Sequence, residues 1–191
     1  MYQQKKEQLK QLLLLEEQGL IDLFFTDECG FSLIPSIPYG WQPIGKQLGI
    51  KSSKERATNL FGLLSTTGRL KAYSTKQSIN SDFILQCIDE VALSISRPTV
   101  LIMDNAPWHK SKKVLGKQKE WEQKEVYLFF LPKYSPHLNL IETLWRKIKY
   151  EWLRAEDYLT VGTLKKAVFN IIRKYDDEFC INFSMNFLTD A

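Results

Sequence analysis

Three short apolar runs constrain the fold of this chain more than any other feature. The runs "LIDLFF", "TVLIM" and "VYLFFL" begin at Leu20, Thr99 and Val126, and each has the length and the aliphatic or aromatic content of a β-strand. The second and third runs have no polar face, which is typical of strands that are buried on both sides of a parallel sheet. Such strands need helices over both faces of the sheet, so the runs indicate an α/β domain.

The segments between these runs complete the predicted topology. The runs "ATNLFGLLS" and "RLKAYS" are separated by a short turn that ends at Gly68, and they predict a β-hairpin. Asn80 or Ser81 can cap a helix, and Thr160 can start another. Residues 3–18 predict a polar helix that either lies on the surface or frays. The resulting order is strand, hairpin, helix, strand, helix, strand, helix, helix, which is an α/β fold with a mixed sheet.

Two of the predicted strands lead into a carboxylate. Asp27 ends the first apolar run, and Asp104 directly follows "TVLIM". In open α/β sheets, ligands bind beyond the carboxyl ends of the strands, so both side chains would enter one crevice if the two strands are neighbours. The alternative is that each aspartate simply begins a turn, because Asp is a common turn residue.

A third carboxylate, Glu142, lies on a predicted helix over residues 136–153. Ser135 is expected to be its N-cap, with a proline at the first helical position. On a helical wheel Glu142 falls about 40° outside the apolar stripe, too far along the helix to be a first-turn acid. An exposed ion pair with Arg146, worth ~0.2–0.5 kcal/mol, is the alternative. The stripe that would face the sheet consists of Leu138, Ile141, Trp145, Ile148 and Trp152.

Three converging carboxylates favour a hard divalent cation. Magnesium accepts one or two carboxylates together with phosphate oxygens, and two ions ~3.5–4 Å apart can hold both the attacking and the leaving oxygen of a phosphodiester. The chain contains no phosphate-binding Gly-x-x-x-x-Gly-Lys loop and no Gly-x-Ser-x-Gly nucleophile elbow. The three cysteines are widely spaced, which does not suggest a zinc site.

Positive charge is concentrated in two stretches of the chain. Residues 41–80 contain seven cations and one anion, and residues 109–124 contain six lysines and two glutamates. A cluster of this kind is commonly only a solvated face. Two clusters beside one candidate site would favour a nucleic-acid partner, although the net charge of +4 is modest.

Four ordered motifs resemble the catalytic domain of DDE superfamily transposases and endonucleases of the insertion-sequence 630 and mariner type. They are "FTDECGFSL", "YGWQPIGKQ", "LIMDNAPWHKS" and "FLPKYSPHLNLIETLWRKIK", between about Phe24 and Trp152. The resemblance implies an RNase H-like fold in which Asp27, Asp104 and Glu142 are the catalytic acids and the metal ligands. It also implies two Mg²⁺ ions, for which Mn²⁺ can substitute, and the cleavage and transfer of DNA strands.

The same motifs assign expected roles to other side chains. Asn105, His109 and Asn139 are expected to bond to a DNA phosphate or to orient a ligand, and for His109 the alternative is to cap the following helix. Glu28 would point to the other face of its strand and is not expected to be a ligand. The expected contacts to backbone phosphates come from Lys46, Lys110 and Lys133, with plain solvation as their alternative.

We expect residues 1–191 to be a single catalytic domain with its RNase H-like core at about 20–175. Members of the family usually carry helix-turn-helix modules before the first aspartate, whereas 26 residues precede Asp27 here. A separate helix-turn-helix subunit or a truncated form is therefore expected. The expected partners are transposon ends, target DNA and a second copy in an active homodimer, without a membrane and in the cytoplasm with the chromosome. The alternatives are an RNase H-like nuclease without strand transfer, and an inactive remnant that only binds DNA or a partner.

Overall fold

A five-stranded sheet forms the centre of the molecule. The computed structural model describes residues 2–37, 44–45, 49–50 and 52–181. The strands are β1 (Asp22–Ser32), β2 (Arg56–Ser65), β3 (Leu70–Thr75), β4 (Thr99–Met103) and β5 (Val126–Phe130), in the spatial order β3-β2-β1-β4-β5. The α-helices are α1 (Tyr2–Glu17), α2 (Ser81–Ser94), α3 (Lys112–Gln123), α4 (Ile141–Lys147) and α5 (Val161–Arg173). Short 3-10 helices cover Pro136–Leu138 and Ala155–Leu159, and a π-helical turn covers Ile148–Trp152.

The sheet is mixed, as the sequence predicts. β1 pairs with β2 in the antiparallel sense, and β2 pairs in the same sense with β3 through the predicted hairpin. Gly68 occupies the hairpin turn with a φ of +86°, a conformation that favours glycine. β1, β4 and β5 are parallel to one another, and α3 provides the crossover from β4 to β5.

Apolar clusters cover both faces of the sheet. Alternate residues of β4 point to opposite faces, so Ile102 joins the cluster under α1, α4 and α5, whereas Leu101 joins the cluster under α2 and α3. The predicted polar helix at the start of the chain is α1, and it buries Leu9 completely rather than lying loosely on the surface. None of the helices in the described part of the chain is long and apolar enough to cross a membrane.

The predicted end of the first strand at Asp27 is wrong, because β1 continues to Ser32. Its parallel pairing with β4 covers Asp22 to Phe25, whereas its antiparallel pairing with β2 continues past Asp27, which lies opposite Gly62. The backbone of Asp27 therefore remains in the sheet because β2 still binds it. The carboxylate nevertheless lies where β4 ends, at the carboxyl edge of the parallel strands.

The predicted continuous helix over residues 136–153 is also wrong. The side chain of Ser135 makes no capping hydrogen bond, and a 3-10 turn is followed by an extended backbone at Asn139, with φ −103° and ψ 101°. The side-chain amide of Asn139 donates a hydrogen bond to the carbonyl of Thr26 over 3.0 Å, and this bond ties the interrupted segment to β1. The α-helix begins at Ile141, so Glu142 is a first-turn acid after all. The predicted caps of the other two helices, at Asn80 and Thr160, are confirmed.

Candidate active site

The three predicted acids line one cavity of about 420 Å³ at the carboxyl edge of the parallel strands. Asp27 comes from the middle of β1, Asp104 directly follows β4, and Glu142 lies in the first turn of α4. The segment between β5 and α4 forms the opposite wall. The cavity is lined by Asp27, Asp104, Asn105, Ala106, Leu131, Pro132, Lys133, Tyr134, Ser135, Pro136, Asn139 and Glu142.

Glu142 reaches this cavity because α4 is packed tightly on the sheet. Ile141 is completely buried and Trp145 is 3% exposed, so the buried stripe of α4 faces the sheet. Gly62 of β2 makes this approach possible, since a Cβ atom there would lie 2.7 Å from Cζ2 of Trp145 and 2.8 Å from Cδ1 of Ile141. No ion pair joins Glu142 to Arg146, both of which the structure describes.

Asp104 is held by a buried histidine that also binds a second carboxylate. Nδ1 of His109 lies 2.7 Å from Oδ1 of Asp104, and its Nε2 lies 2.6 Å from Oε1 of Glu28. The imidazole has no exposed surface. The backbone N–H of Ala106 also donates to Oδ1 of Asp104, and the indole N–H of Trp108 donates to Glu28 over 3.1 Å. Both ring nitrogens of His109 are therefore occupied by protein carboxylates.

The alternative role predicted for His109, to cap the following helix, is wrong, because Ser111 is the N-cap of α3. The hydroxyl of Ser111 accepts a hydrogen bond from the N–H of Val114 and caps α3.

Glu28 is the functional candidate that sequence reasoning set aside, because its strand position puts it on the face opposite Asp27. Trp108 and His109 contact Glu28 on that face. Glu28 and His109 are 81 positions apart, and no local sequence pattern predicts a contact over that separation.

The acids of the cavity have perturbed proton affinities. Burial, with the charges of Glu142 and Glu28, raises the pKa of Asp27 to about 8. Burial also raises the pKa of Glu142, partly offset by Lys149. For Asp104 burial acts in the same direction, but the hydrogen bonds from His109 and Ala106 lower its pKa overall. Asp104 is therefore the acid of the three that is most readily ionised without a cation.

Burial lowers the pKa of His109, but the hydrogen bonds to Asp104 and Glu28 outweigh it and raise the value to about 9. At neutral pH the imidazole is therefore a cation between two carboxylates. This charge explains why Asp104 stays ionised in a cavity that already contains two other acids.

The chemistry of the donor atoms fits a hard divalent cation. Three carboxylates line the cavity, and Oδ1 of the buried Asn139 has no hydrogen-bond partner. Mg²⁺ binds proteins mainly through carboxylate oxygens, and a neutral carbonyl oxygen such as that of Asn139 is a weaker donor of the same hard type. Among the described residues no three His, Cys, Asp or Glu side chains already form a compact group that could hold an ion.

The remaining predicted site residues are distributed as follows. Asn105 lines the cavity, donates to the carbonyl of Leu131 and accepts from Lys110. The ammonium of Lys110 also lies 4.7 Å from the ring centre of Phe130. Lys133 and Asn139 line the cavity. Lys46 and most of the motif "YGWQPIGKQ" lie outside the described residues.

The second basic stretch is less available to a partner than its composition predicts. Lys113 pairs with Asp82 at 2.6 Å, and Lys117 pairs with Asp89 and Glu120. Much of the positive charge on α3 is therefore balanced by acids of α2 and of α3 itself.

The model of the DDE superfamily endonuclease family matches residues 22–165. This range contains all three acids of the cavity, His109 and Glu28. The chain belongs to the DDE superfamily endonucleases. A search of curated proteins gives no match to this DDE endonuclease. The match of the family model confirms the family resemblance inferred from the four motifs.

Solved structures confirm the RNase H-like fold of this DDE endonuclease. The Mos1 mariner paired end complex with Mn superposes with a TM-score of 0.56 at 17% identity, covering 93% of this chain and 56% of that one. The Mos1 strand transfer complex gives 0.55 at 16% identity, with coverages of 93% and 55%. The catalytic domain of Mos1 mariner transposase gives 0.50 at 14% identity, with coverages of 92% and 82%. The chain thus spans about half the length of the first two.

Proposed function

We propose that this DDE endonuclease is the catalytic domain of a transposase, which hydrolyses a DNA strand and then joins the freed 3′ hydroxyl to target DNA. The observation that carries the proposal is that Asp27, Asp104 and Glu142, from three separate elements, line one cavity. Membership of an endonuclease family supports the nuclease step. The similarity to a chain solved in a strand transfer complex supports the joining step.

Asp27, Asp104 and Glu142 would hold two divalent cations, Mg²⁺ or Mn²⁺ in its place. When bound, the cations would lower the pKa of the attacking water and stabilise the charge that develops on the phosphate. Asp27 gives up a proton to take part, since its pKa is about 8 in the cation-free protein. His109 binds one oxygen of Asp104 and keeps this carboxylate ionised and oriented.

Cationic and amide side chains around the cavity would position the DNA. Lys133 lies on the cavity wall, where its ammonium can reach a backbone phosphate. Lys110 is held beside Asn105 and would make a second phosphate contact, with Lys46 as a third. Asn139 fixes the Glu142 segment to β1 through its side-chain NH₂ group, which donates to the carbonyl of Thr26.

The wider assembly is proposed on the same basis. Residues 1–191 would act as a single catalytic domain, with an RNase H-like core at about 20–175, on transposon ends and target DNA near the chromosome in the cytoplasm. Recognition of the ends would come from helix-turn-helix segments in a separate subunit, and the active form would be a homodimer. The paired end complexes of the Mos1 chain agree with an assembly on DNA ends.

The decisive experiment compares Glu142→Gln with wild type on DNA that carries the inverted repeats flanking the gene. In Mg²⁺ the variant should lose cleavage, because a carboxamide is a weak ligand for the cation. Glu151→Gln is the matched control, since Glu151 is exposed and forms an ion pair with Lys147 in the same segment. Equal cleavage by wild type and Glu142→Gln would refute the proposal. Cleavage without joined products in a strand-transfer assay would instead favour an RNase H-like nuclease.

A further inference from the structure

Tyr134 is an aromatic side chain on the wall of the acid cavity, and 97% of it is exposed to solvent. Other residues of the same wall are different, since Leu131 is 4% exposed and Ser135, which follows Tyr134 directly, is 6% exposed. A tyrosine normally places its ring against apolar surface, because burial of the ring is strongly favourable. The ring of Tyr134 therefore contributes almost nothing to the core.

The backbone of Tyr134 is also in an unfavourable conformation. Its φ is +57°, in the left-handed region where a residue with a bulky side chain is uncommon. The other non-glycine residues with positive φ in the described part of the chain are Glu125 and Asp176. Glycine or asparagine would form this turn at lower cost. Strain of this kind is typical of positions whose side chain has a function beyond folding.

The surroundings of Tyr134 indicate what the ring can bind. It shares the cavity wall with Lys133, whose ammonium attracts phosphate, and with the three acids that would act on a phosphodiester. A flat exposed ring beside a phosphate-binding group is the combination with which proteins bind unpaired nucleotides, because every base offers a π-face. A base inside a duplex is already stacked on both sides and cannot lie on this ring.

We propose that Tyr134 is a stacking platform for an unpaired base of the DNA strand, adjacent to the phosphate that is cleaved. The inference rests on the proposed nuclease function of the same cavity and narrows its substrate. This site prefers DNA in which the base pair beside the cleaved phosphate is open. The left-handed turn serves to direct the ring away from the core and towards the nucleotide.

Three substitutions at Tyr134 separate stacking from folding. Tyr134→Phe keeps the ring and should bind within about twofold of wild type. Tyr134→Ala removes the ring and keeps the unfavourable backbone, whereas Tyr134→Gly removes both. Both should weaken binding by about 5- to 150-fold, the range for loss of one stacked base. Tyr134→Gly should nevertheless melt at or above the temperature of wild type, which excludes misfolding as the cause.

Binding is measured by the fluorescence of 2-aminopurine in a short single-stranded oligonucleotide, with EDTA present so that cleavage plays no part. Wild type and Tyr134→Phe should quench the fluorophore at one position, and the Ala and Gly variants should not. Tyr127→Ala is the matched control, because Tyr127 is a partly exposed tyrosine of β5 that does not line the cavity. Equal dissociation constants for wild type, Tyr134→Ala and Tyr134→Gly would overturn the inference.

Cleavage assays distinguish failure of this inference from failure of the proposed function. Wild type should cleave DNA with a mismatch beside the scissile phosphate faster than matched duplex, and Tyr134→Ala should lose this preference. If wild type cleaves both equally while Glu142→Gln cleaves neither, the nuclease function stands and the stacking role is wrong. If Tyr134→Ala changes self-association in sedimentation experiments but not DNA binding, the ring is a protein contact and the inference is also wrong.

Discussion

Nδ1 of His109 lies 2.7 Å from Oδ1 of Asp104, in a histidine that has no exposed surface. The same ring binds Glu28 through Nε2 at 2.6 Å, so a carboxylate outside the cavity is connected to one inside it. Partners that bind a metal ligand from behind fix its orientation and its charge. In the proposed cation site, His109 and Glu28 would therefore be positioning residues for Asp104.

Glu28→Gln should lower the pKa of His109 from about 9, because it removes one of the two charges that stabilise the imidazolium. The chain has two histidines, so NMR titration of wild type and of His137→Gln assigns the resonances of His109 directly. In the cation-bound protein, loss of a partner behind a metal ligand should weaken Mn²⁺ binding by about 10- to 100-fold. Glu122→Gln, at an exposed position of α3, is the control and should change neither quantity. An unaltered titration of His109 in Glu28→Gln would contradict this account.

The raised pKa of His109 makes the stability of the protein depend on pH. The folded-state value of about 9 exceeds the ordinary value of 6.5, so the bridge stabilises the fold fully below about pH 6.5 and the contribution is lost as pH rises through 9. The full contribution is roughly 3 kcal/mol at the exchange of 1.36 kcal/mol per pH unit. Urea unfolding with EDTA should show this loss in wild type and a smaller one in Glu28→Gln. Equal pH profiles of the two proteins would show that Glu28 does not sustain the charge.

Asp27→Asn should stabilise the cation-free protein at alkaline pH. The pKa of Asp27 is raised from 3.8 to about 8, so the group favours folding below about pH 3.8 and this contribution is lost as pH rises through 8. The amide is nearly isosteric and has no charge to lose, so the variant should exceed wild type by about 1 kcal/mol or more near pH 9. Urea unfolding in EDTA measures the difference, with Asp177→Asn, at an exposed position, as the control. A variant less stable than wild type under these conditions would be inconsistent with a destabilised carboxylate.

Binding of a cation to the cavity should release a proton from Asp27. Below its pKa of about 8 the carboxyl is protonated, so the affinity for Mn²⁺ should rise by about tenfold per pH unit and level off above pH 8. Calorimetry at pH 7 in two buffers of different ionisation enthalpy should detect about one proton released for each protein molecule. Asp27→Asn should bind more weakly and release none. If the affinity of wild type for Mn²⁺ did not change with pH, Asp27 would already be ionised in the cation-free protein.

The sequence predicts the elements of this fold well because their signals are local. Apolar runs without a polar face identify β4 and β5, and the side chains of Asn80 and Thr160 cap the helices that they precede. The side of the helix on which Glu142 lies was also predicted, although from a helix that starts too early. The periodicity of α4 by itself carries that information, wherever the helix begins.

The errors arise where a contact joins residues that are distant in the chain. The helix breaks at Asn139 because its amide binds Thr26, which is 113 positions away. β1 extends beyond its predicted end at Asp27 because β2 continues to pair with it there. The role of Glu28 depends on His109, which no pattern within either motif indicates. Each of these contacts becomes visible only when the sheet brings the segments together.

Gly62→Ala should impair both folding and cleavage, because the added Cβ would lie 2.7 Å from Trp145 and 2.8 Å from Ile141. Overpacking of a core costs typically about 1–3 kcal/mol, and here it would push α4 and Glu142 away from Asp27, which lies opposite Gly62. Trp145→Phe makes room for the methyl group, so the double variant should be more stable than the two single effects predict and should recover part of the cleavage. Urea unfolding and cleavage rates of the four proteins form a double-mutant cycle. Gly116→Ala is the control, since nothing lies within 4 Å of a Cβ on this α3 residue and the change should be neutral or stabilising. Strictly additive effects in the cycle would show that Gly62 does not set the position of α4.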